Sequence, residues 1–127
     1  LLTLCRGGEV VQPYLVAKVV GPRGRTLQAG AAKALGSAFS EQTAEQVLGA
    51  LREAGERGPG GQMVWWWVPP EARLKEKAGW GTAWCIGWLP DERPAYVVVV
   101  VVERTADASK AAEACARILN ELDKMPV

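Results

Sequence analysis

The sequence predicts an α+β fold in which an antiparallel sheet, ending in a three-strand meander, is flanked by helices. Apolar residues recur at helical spacing in residues 40–57 and again in residues 107–123. Between these segments, residues 82–89 alternate in side-chain character and residues 97–102 are six consecutive valines. Both patterns favour strands. Neighbouring strands followed by a closing helix favour an α+β arrangement over alternating βαβ units.

The composition is that of one globular domain, or part of one, over residues 1–127. The chain is 49% hydrophobic and 23% charged, which is ordinary for a folded protein. A net charge of +1 with scattered basic residues gives no reason to expect nucleic-acid binding. No window reaches the roughly 18 apolar residues of a membrane segment. The sequence predicts no cofactor and no metal site, because histidine is absent and no CxxC pair occurs.

The chain has three cysteines, Cys5, Cys85 and Cys115. Free cysteine is commonly a small core residue, which favours three separately buried thiols. One disulfide with one free thiol is the alternative.

The first third of the chain is predicted to begin with a short helix and continue in short extended pieces. Residues 1–6 have the character of a helix end stopped by Gly7 and Gly8. Pro13 divides the β-rich residues 9–20 into two extended pieces, and the Gly/Pro-rich residues 21–25 form a turn before a returning strand at Thr26. Residues 28–39 are compatible with a helix or a loop.

The first long helix is predicted over residues 40–57. Ser40 is a suitable N-cap, and a glycine-rich loop follows at residues 58–61. The apolar stripe of this helix consists of Ala44, Val47, Leu48, Leu51 and Ala54.

The meander is predicted from residues 72–78, 82–89 and 95–102, with a hairpin turn at residues 79–81. A strand with one face in water alternates, so the unbroken valine run predicts a strand that is covered on both faces. The closing helix of residues 107–123 would cover one face with Ala111, Cys115, Ile118, Leu119 and Leu122. Trp84 and Trp88 are expected to pack under a helix. Trp65, Trp66 and Trp67 are consecutive, so at least one should point to a ligand or partner.

This meander leaves the strand that runs from Val97 to Val102 at an edge. A long uncharged apolar edge pairs readily with other strands. We therefore expect a partner there, either a missing N-terminal part of the same domain or a second copy in a homodimer.

Four stretches, in their order along the chain, match the segments of a known fold. They are LTLCRGGEVVQPYLVAKVVGPRGRTL, SEQTAEQVLGALREAGERGPG, KAGWGTAWCIGWLPDERPAYVVVVVVE and ADASKAAEACARILNEL. The third is similar to a Lys-Thr-Gly strand, a Trp-Phe-x-Gly strand with its Pro turn, and a long apolar strand. Together they resemble the C-terminal part of the transpeptidase domain of penicillin-binding proteins, β-lactamase-like serine acyl-transferases that cross-link peptidoglycan.

The resemblance implies substrate-binding residues at Lys77, Ala78, Gly79 and Thr82. Lys77 would be the cation that holds the substrate carboxylate, and Gly79 would let the ligand approach the strand. Ala78 replaces the family's hydroxyl. A second alignment places Gly81, Thr82 and Ala83 on the motif. In that alignment Gly79 stands where the family has lysine, so no cation is present. Without the resemblance, Lys77 reads as a solvated lysine.

The sequence predicts no catalytic residue in this chain, because neither Ser-x-x-Lys nor Ser-x-Asn occurs. The resemblance implies one wall of a cleft for a peptidoglycan stem peptide or a β-lactam, on the outer side of the bacterial cytoplasmic membrane or in the periplasm. A non-catalytic relative that acts as a scaffold or interaction module is the alternative. An α+β binding domain of unrelated origin is a third hypothesis.

Overall fold

The structure, a computed structural model, describes residues 1–70 and 80–126. The predicted α+β class is confirmed. In chain order, the described residues form α1 (Leu2–Cys5), β1 (Glu9–Gln12), β2 (Lys18–Val20), β3 (Thr26–Ala29), β4 (Lys33–Ser37), α2 (Glu41–Ala54), β5 (Glu56–Gly58), β6 (Gly61–Val68), β7 (Gly81–Leu89), β8 (Tyr96–Thr105) and α3 (Ser109–Asp123).

The main sheet of the described residues has the order β5-β6-β7-β8, and all its pairs are antiparallel. β7 pairs with β6 from Val68 opposite Thr82 to Gln62 opposite Trp88, and with β8 on its other edge. The meander is therefore present, but the prediction that residues 72–78 pair with residues 82–89 is wrong. β6 holds that edge, because its valines and tryptophans suit a sheet better than the charged residues 73–77 do. Residues 71–79 lie outside the described residues.

Helix α3 covers one face of this sheet and forms the main core with it. Its buried residues, Ala111, Ala112, Cys115 and Leu119, pack with Met63, Ala83, Cys85, Leu89 and Val98. Leu122 packs partly against this core. The predicted stripe is wrong at Ile118, whose side chain is 43% exposed. The residues of α3 that contact the core recur about every four positions, which places Ile118 at the margin of the buried stripe.

The opposite face of the valine strand is open in the described chain. Val98 is buried under α3, while Val99 is 56% exposed and Val101 is 42% exposed. The prediction that both faces are covered is therefore wrong for the residues described. No described strand pairs with the outer edge of β8, as expected.

Two short antiparallel strand pairs precede α2. β1 pairs with β4 and β2 pairs with β3, which confirms the break at Pro13 and the turn before Thr26. The expectation of a helix or loop in residues 28–39 is wrong, because β4 forms there. Every residue of β4 is exposed, so backbone pairing with β1 defines this strand and no side-chain pattern shows it.

Gly7 and Gly8 have positive φ after α1, as the predicted helix stop requires.

Helix α2 begins at its predicted cap, because the Ser40 hydroxyl accepts a hydrogen bond of 3.2 Å from the Thr43 amide. Ala44 and Leu48 are its buried residues, while Val47 is 40% exposed. The helix ends at Ala54, before the predicted end at residue 57. A Cβ at Gly55 would clash with the Met63 carbonyl, so the chain passes against β6 at this point and turns into β5.

We expect Leu119→Ala to lower the free energy of unfolding by about 2–5 kcal/mol, because it leaves a cavity in the core between α3 and the sheet. Ile118→Ala, on the same helix, is the matched control and should cost less than about 1 kcal/mol. Urea unfolding followed by tryptophan fluorescence measures both. Equal losses would contradict the orientation of α3.

Candidate functional site

The open face of the main sheet carries Thr82, one of the four residues that the sequence marks for binding, on the same strand face as Trp84. On β7 this face holds the half-buried Thr82, Trp84 and Ile86, which alternate with the residues under α3. The Trp66 and Trp84 rings stack across β6 and β7, with centroids 5.9 Å apart and planes 5° from parallel. Trp66 remains 41% exposed, so part of this aromatic pair is open to solvent.

The three consecutive tryptophans do not all point into the core, as expected. Trp67 packs against the core and donates a hydrogen bond of 3.1 Å from Nε1 to the Thr105 carbonyl. Trp65 and Trp66 are each 41% exposed. Trp88, at the end of β7, is fully buried, whereas Trp84 is half-buried and stacks on Trp66.

Of the predicted site residues, Thr82 is described and Lys77, Ala78 and Gly79 lie outside the described residues. Thr82 is half-buried opposite Val68, two residues before Trp84 on the same strand face. It therefore adjoins the stacked tryptophans. Gly81 precedes it at a position that admits no side chain, because a Cβ there would clash with the Val68 carbonyl and the Trp67 ring.

The strand next to β7 was missed as a component of the site. β6 has the sequence GQMVWWWV, which contains no lysine, arginine, serine or threonine. Its only amide side chain, Gln62, is buried. The length of the apolar run in β6, which resembles that of β8, could have identified β6 as a strand of the main sheet. This strand offers aromatic surface and no cation or hydroxyl.

A polar cluster ties the other end of the sheet to α2. Arg52 donates from Nε to Asp91 Oδ1 at 2.6 Å and from Nη2 to the Asp91 carbonyl at 2.9 Å. Gln62 Nε2 donates to Asp91 Oδ2 at 3.2 Å. Burial alone would raise the pKa of Asp91, but the hydrogen bonds from Arg52 and Gln62 and the Arg52 charge outweigh it and lower the pKa. This cluster fixes the turn between β7 and β8 against α2.

Each serine of the chain has a local hydrogen bond. Ser40 caps α2, the Ser37 hydroxyl donates to the Phe39 carbonyl at 2.7 Å, and Ser109 Oγ donates to Asp107 Oδ1 at 2.7 Å. None belongs to an acylation motif, and the described residues contain no group of metal ligands. No helix among the described residues is long and apolar enough to cross a membrane.

The sequence profile of one family, described as the penicillin binding protein transpeptidase domain, matches residues 1–122. The chain belongs to this family. The resemblance drawn from the four sequence stretches is therefore confirmed. A search of curated proteins finds no match.

Solved structures of this transpeptidase family share the fold. Penicillin-binding protein A from M. tuberculosis, as an imipenem acyl-enzyme complex, is 26% identical with a TM-score of 0.73, and the match covers 94% of this chain and 28% of that one. Its penicillin G acyl-enzyme complex is 26% identical with a TM-score of 0.75, covering 94% of this chain and 29% of that chain. The D,D-transpeptidase domain of a peptidoglycan glycosyltransferase from Eggerthella lenta is 25% identical with a TM-score of 0.72, covering 95% of this chain and 30% of that chain.

The chain thus spans less than a third of the length of these penicillin-binding relatives, and it matches as part of a transpeptidase domain. This agrees with the assignment of its segments to the C-terminal part. The described portion brings together Thr82, the stacked tryptophans and the open apolar face.

We expect Asp91→Asn to destabilise the fold by about 1 kcal/mol at pH 7, because it removes a partly buried carboxylate that accepts charge-assisted hydrogen bonds. The pKa of Asp91 is lowered from 3.8 in the folded state. Its stabilising contribution is therefore present above pH 3.8 and is lost as the pH falls through the folded pKa. Urea unfolding between pH 2 and pH 7 should show the difference between wild type and variant shrinking towards pH 2.

The matched control is Glu92→Gln at the exposed neighbouring position, which should change the free energy of unfolding by less than about 0.5 kcal/mol. A difference between Asp91→Asn and wild type that stays constant with pH would show that the Asp91 charge is not involved.

Proposed function

We propose that this chain forms one wall of the cleft in which a penicillin-binding transpeptidase domain receives a peptidoglycan stem peptide or a β-lactam. The supporting observation is the position of Thr82, half-buried on the open sheet face beside the Trp66–Trp84 stack. The chain supplies no activated serine, so acyl transfer requires a nucleophile from residues outside this sequence.

In this proposal Lys77, Ala78, Gly79 and Thr82 contact the substrate. The ammonium group of Lys77 pairs with the terminal carboxylate of the ligand, which a point charge on a flexible stem can follow. Gly79 leaves room for the ligand backbone. Ala78 has no side-chain group that could donate a hydrogen bond to the ligand. The Thr82 hydroxyl on β7 is therefore the hydroxyl donor in this wall of the cleft.

The partner in this proposal is the rest of the same domain. The exposed side chains of Trp66, Val99 and Val101 form an apolar surface next to the unpaired edge of β8. Burying such a surface is favourable by roughly 25 cal/mol per Å². The match to 28–30% of the relatives' length supports the remaining domain residues as the cover. A homodimer through β8 is the competing arrangement. As part of such a domain, the chain would act outside the cytoplasm.

A second candidate function is that of a non-catalytic relative, used as a scaffold or interaction module. It is favoured by β6. The resemblance places a strand with a lysine and a hydroxyl beside the Trp-Phe-x-Gly-like strand, and β6, the strand that pairs with β7, has neither. Lys77 and Gly79 would then belong to the connection between β6 and β7, and the wall would be aromatic.

Labelling with a fluorescent penicillin separates the two candidates, using the protein with all residues that its gene encodes. If Lys77 holds the ligand carboxylate, Lys77→Ala should slow acylation at least about tenfold, because a charge-assisted contact of about 1.5–3 kcal/mol is lost. Lys75→Ala is the matched control and should acylate at the wild-type rate.

Each outcome assigns the function. Labelling that Lys77→Ala reduces supports the cleft wall with Lys77 as its cation. Labelling that Lys77→Ala leaves unchanged overturns the role of Lys77. No labelling of the wild-type protein, with folding confirmed by circular dichroism, supports the non-catalytic relative.

A further inference from the structure

Cys85 and Cys115 are buried side by side where α3 crosses β7. Both residues are fully inaccessible to solvent and belong to the same core cluster. Cys85 projects from the α3 face of β7, and Cys115 lies in the middle of the buried stripe of α3. The expectation of three separately buried thiols is therefore wrong in two ways, because these two are neighbours and Cys5 is only half-buried.

The contact between these thiols depends on a glycine. Cys115 Sγ lies 3.0 Å from the point that a Cβ on Gly87 would occupy, so the missing side chain lets Cys115 rest on the strand two residues from Cys85. The thiols are within hydrogen-bonding reach of each other. That hydrogen bond, followed by burial, raises the pKa of Cys85, while the same hydrogen bond lowers the pKa of Cys115.

We propose that Cys85 and Cys115 form a reversible disulfide that joins α3 to the central strand of the sheet. Both are free thiols in the structure. Oxidation removes one proton and one electron from each thiol and forms the sulfur–sulfur bond, and an external disulfide accepts the two electrons and two protons and is reduced to two thiols. Because both thiols are buried, the external disulfide reaches them when α3 opens locally. The two sulfurs must come within the bond length of about 2.05 Å.

The disulfide would act on the part of the fold that carries the open face. It closes a loop of about 30 residues that contains the end of β7, all of β8 and the start of α3. Closing a loop of that size restricts the unfolded chain and stabilises the native state. The valine strand would then stay against α3 in the oxidised protein. This inference does not depend on the proposed function.

The test is oxidation of the reduced, folded full-length protein with diamide, which accepts two protons and two electrons from a thiol pair. Cysteines that stay free are then alkylated in denaturant, and tryptic peptides are identified by mass spectrometry. The expected product links the peptide containing Cys85 to the peptide containing Cys115. The melting temperature should rise by roughly 5–10 °C and return to its starting value after reduction.

Cys5→Ser is the matched control and should retain both the linkage and the rise in melting temperature. Cys85→Ser and Cys115→Ser should each abolish both effects. The peptide map of the wild-type protein decides the question even where a core variant fails to fold. Recovery of Cys85 and Cys115 as free thiols after native oxidation would overturn the proposal, and so would linkage of either one to Cys5.

Discussion

The main sheet has two faces, and within the described chain α3 covers one of them. This constraint determines how the rest of the molecule is organised. Under α3 the strands present small or compact residues, with Ala83, Cys85 and Gly87 in succession along β7, so the helix can pack closely. On the opposite face the same strands present tryptophan, isoleucine and valine, and part of that surface is exposed. The buried core and the candidate binding surface are therefore two sides of one set of strands.

Much of this arrangement could be predicted from the sequence, because its signals are local. Helical spacing identified α2 and α3, alternation identified β7, and the valine run identified β8. A cap at Ser40 placed the start of α2 correctly, since the capping hydrogen bond involves a residue only three positions away.

The errors arose where distant residues decide the structure. β4 is exposed throughout and exists because β1 pairs with it. β6 was not assigned to the edge of β7, since a continuous apolar run does not specify its partner. The valine run predicted cover on both faces, but apolar composition alone does not show which residues supply the cover. Of the four predicted site residues, the described portion contains Thr82, which lies on the same face of β7 as Trp84.

The chain combines an ordered core with an apolar surface that is partly exposed among the described residues. Its helices and strands match those of penicillin-binding relatives over nearly its whole length, while it spans less than a third of theirs. The Arg52–Asp91–Gln62 cluster links the sheet to α2 at the end away from the stacked tryptophans, and the thiol pair lies in the core under α3. Among the described elements, Trp66 stays partly exposed and no strand pairs with the outer edge of β8.

Amide hydrogen exchange at residues 97–102, measured on this chain alone and on the protein with all residues that its gene encodes, tests the central claim most directly. In the chain alone, every second amide of β8 should exchange rapidly because it points to the unpaired edge, while amides of β7 stay protected on both edges. In the full-length protein all six valine amides should be protected. Equal exchange in both proteins would show that nothing covers the edge of β8, and would contradict the account.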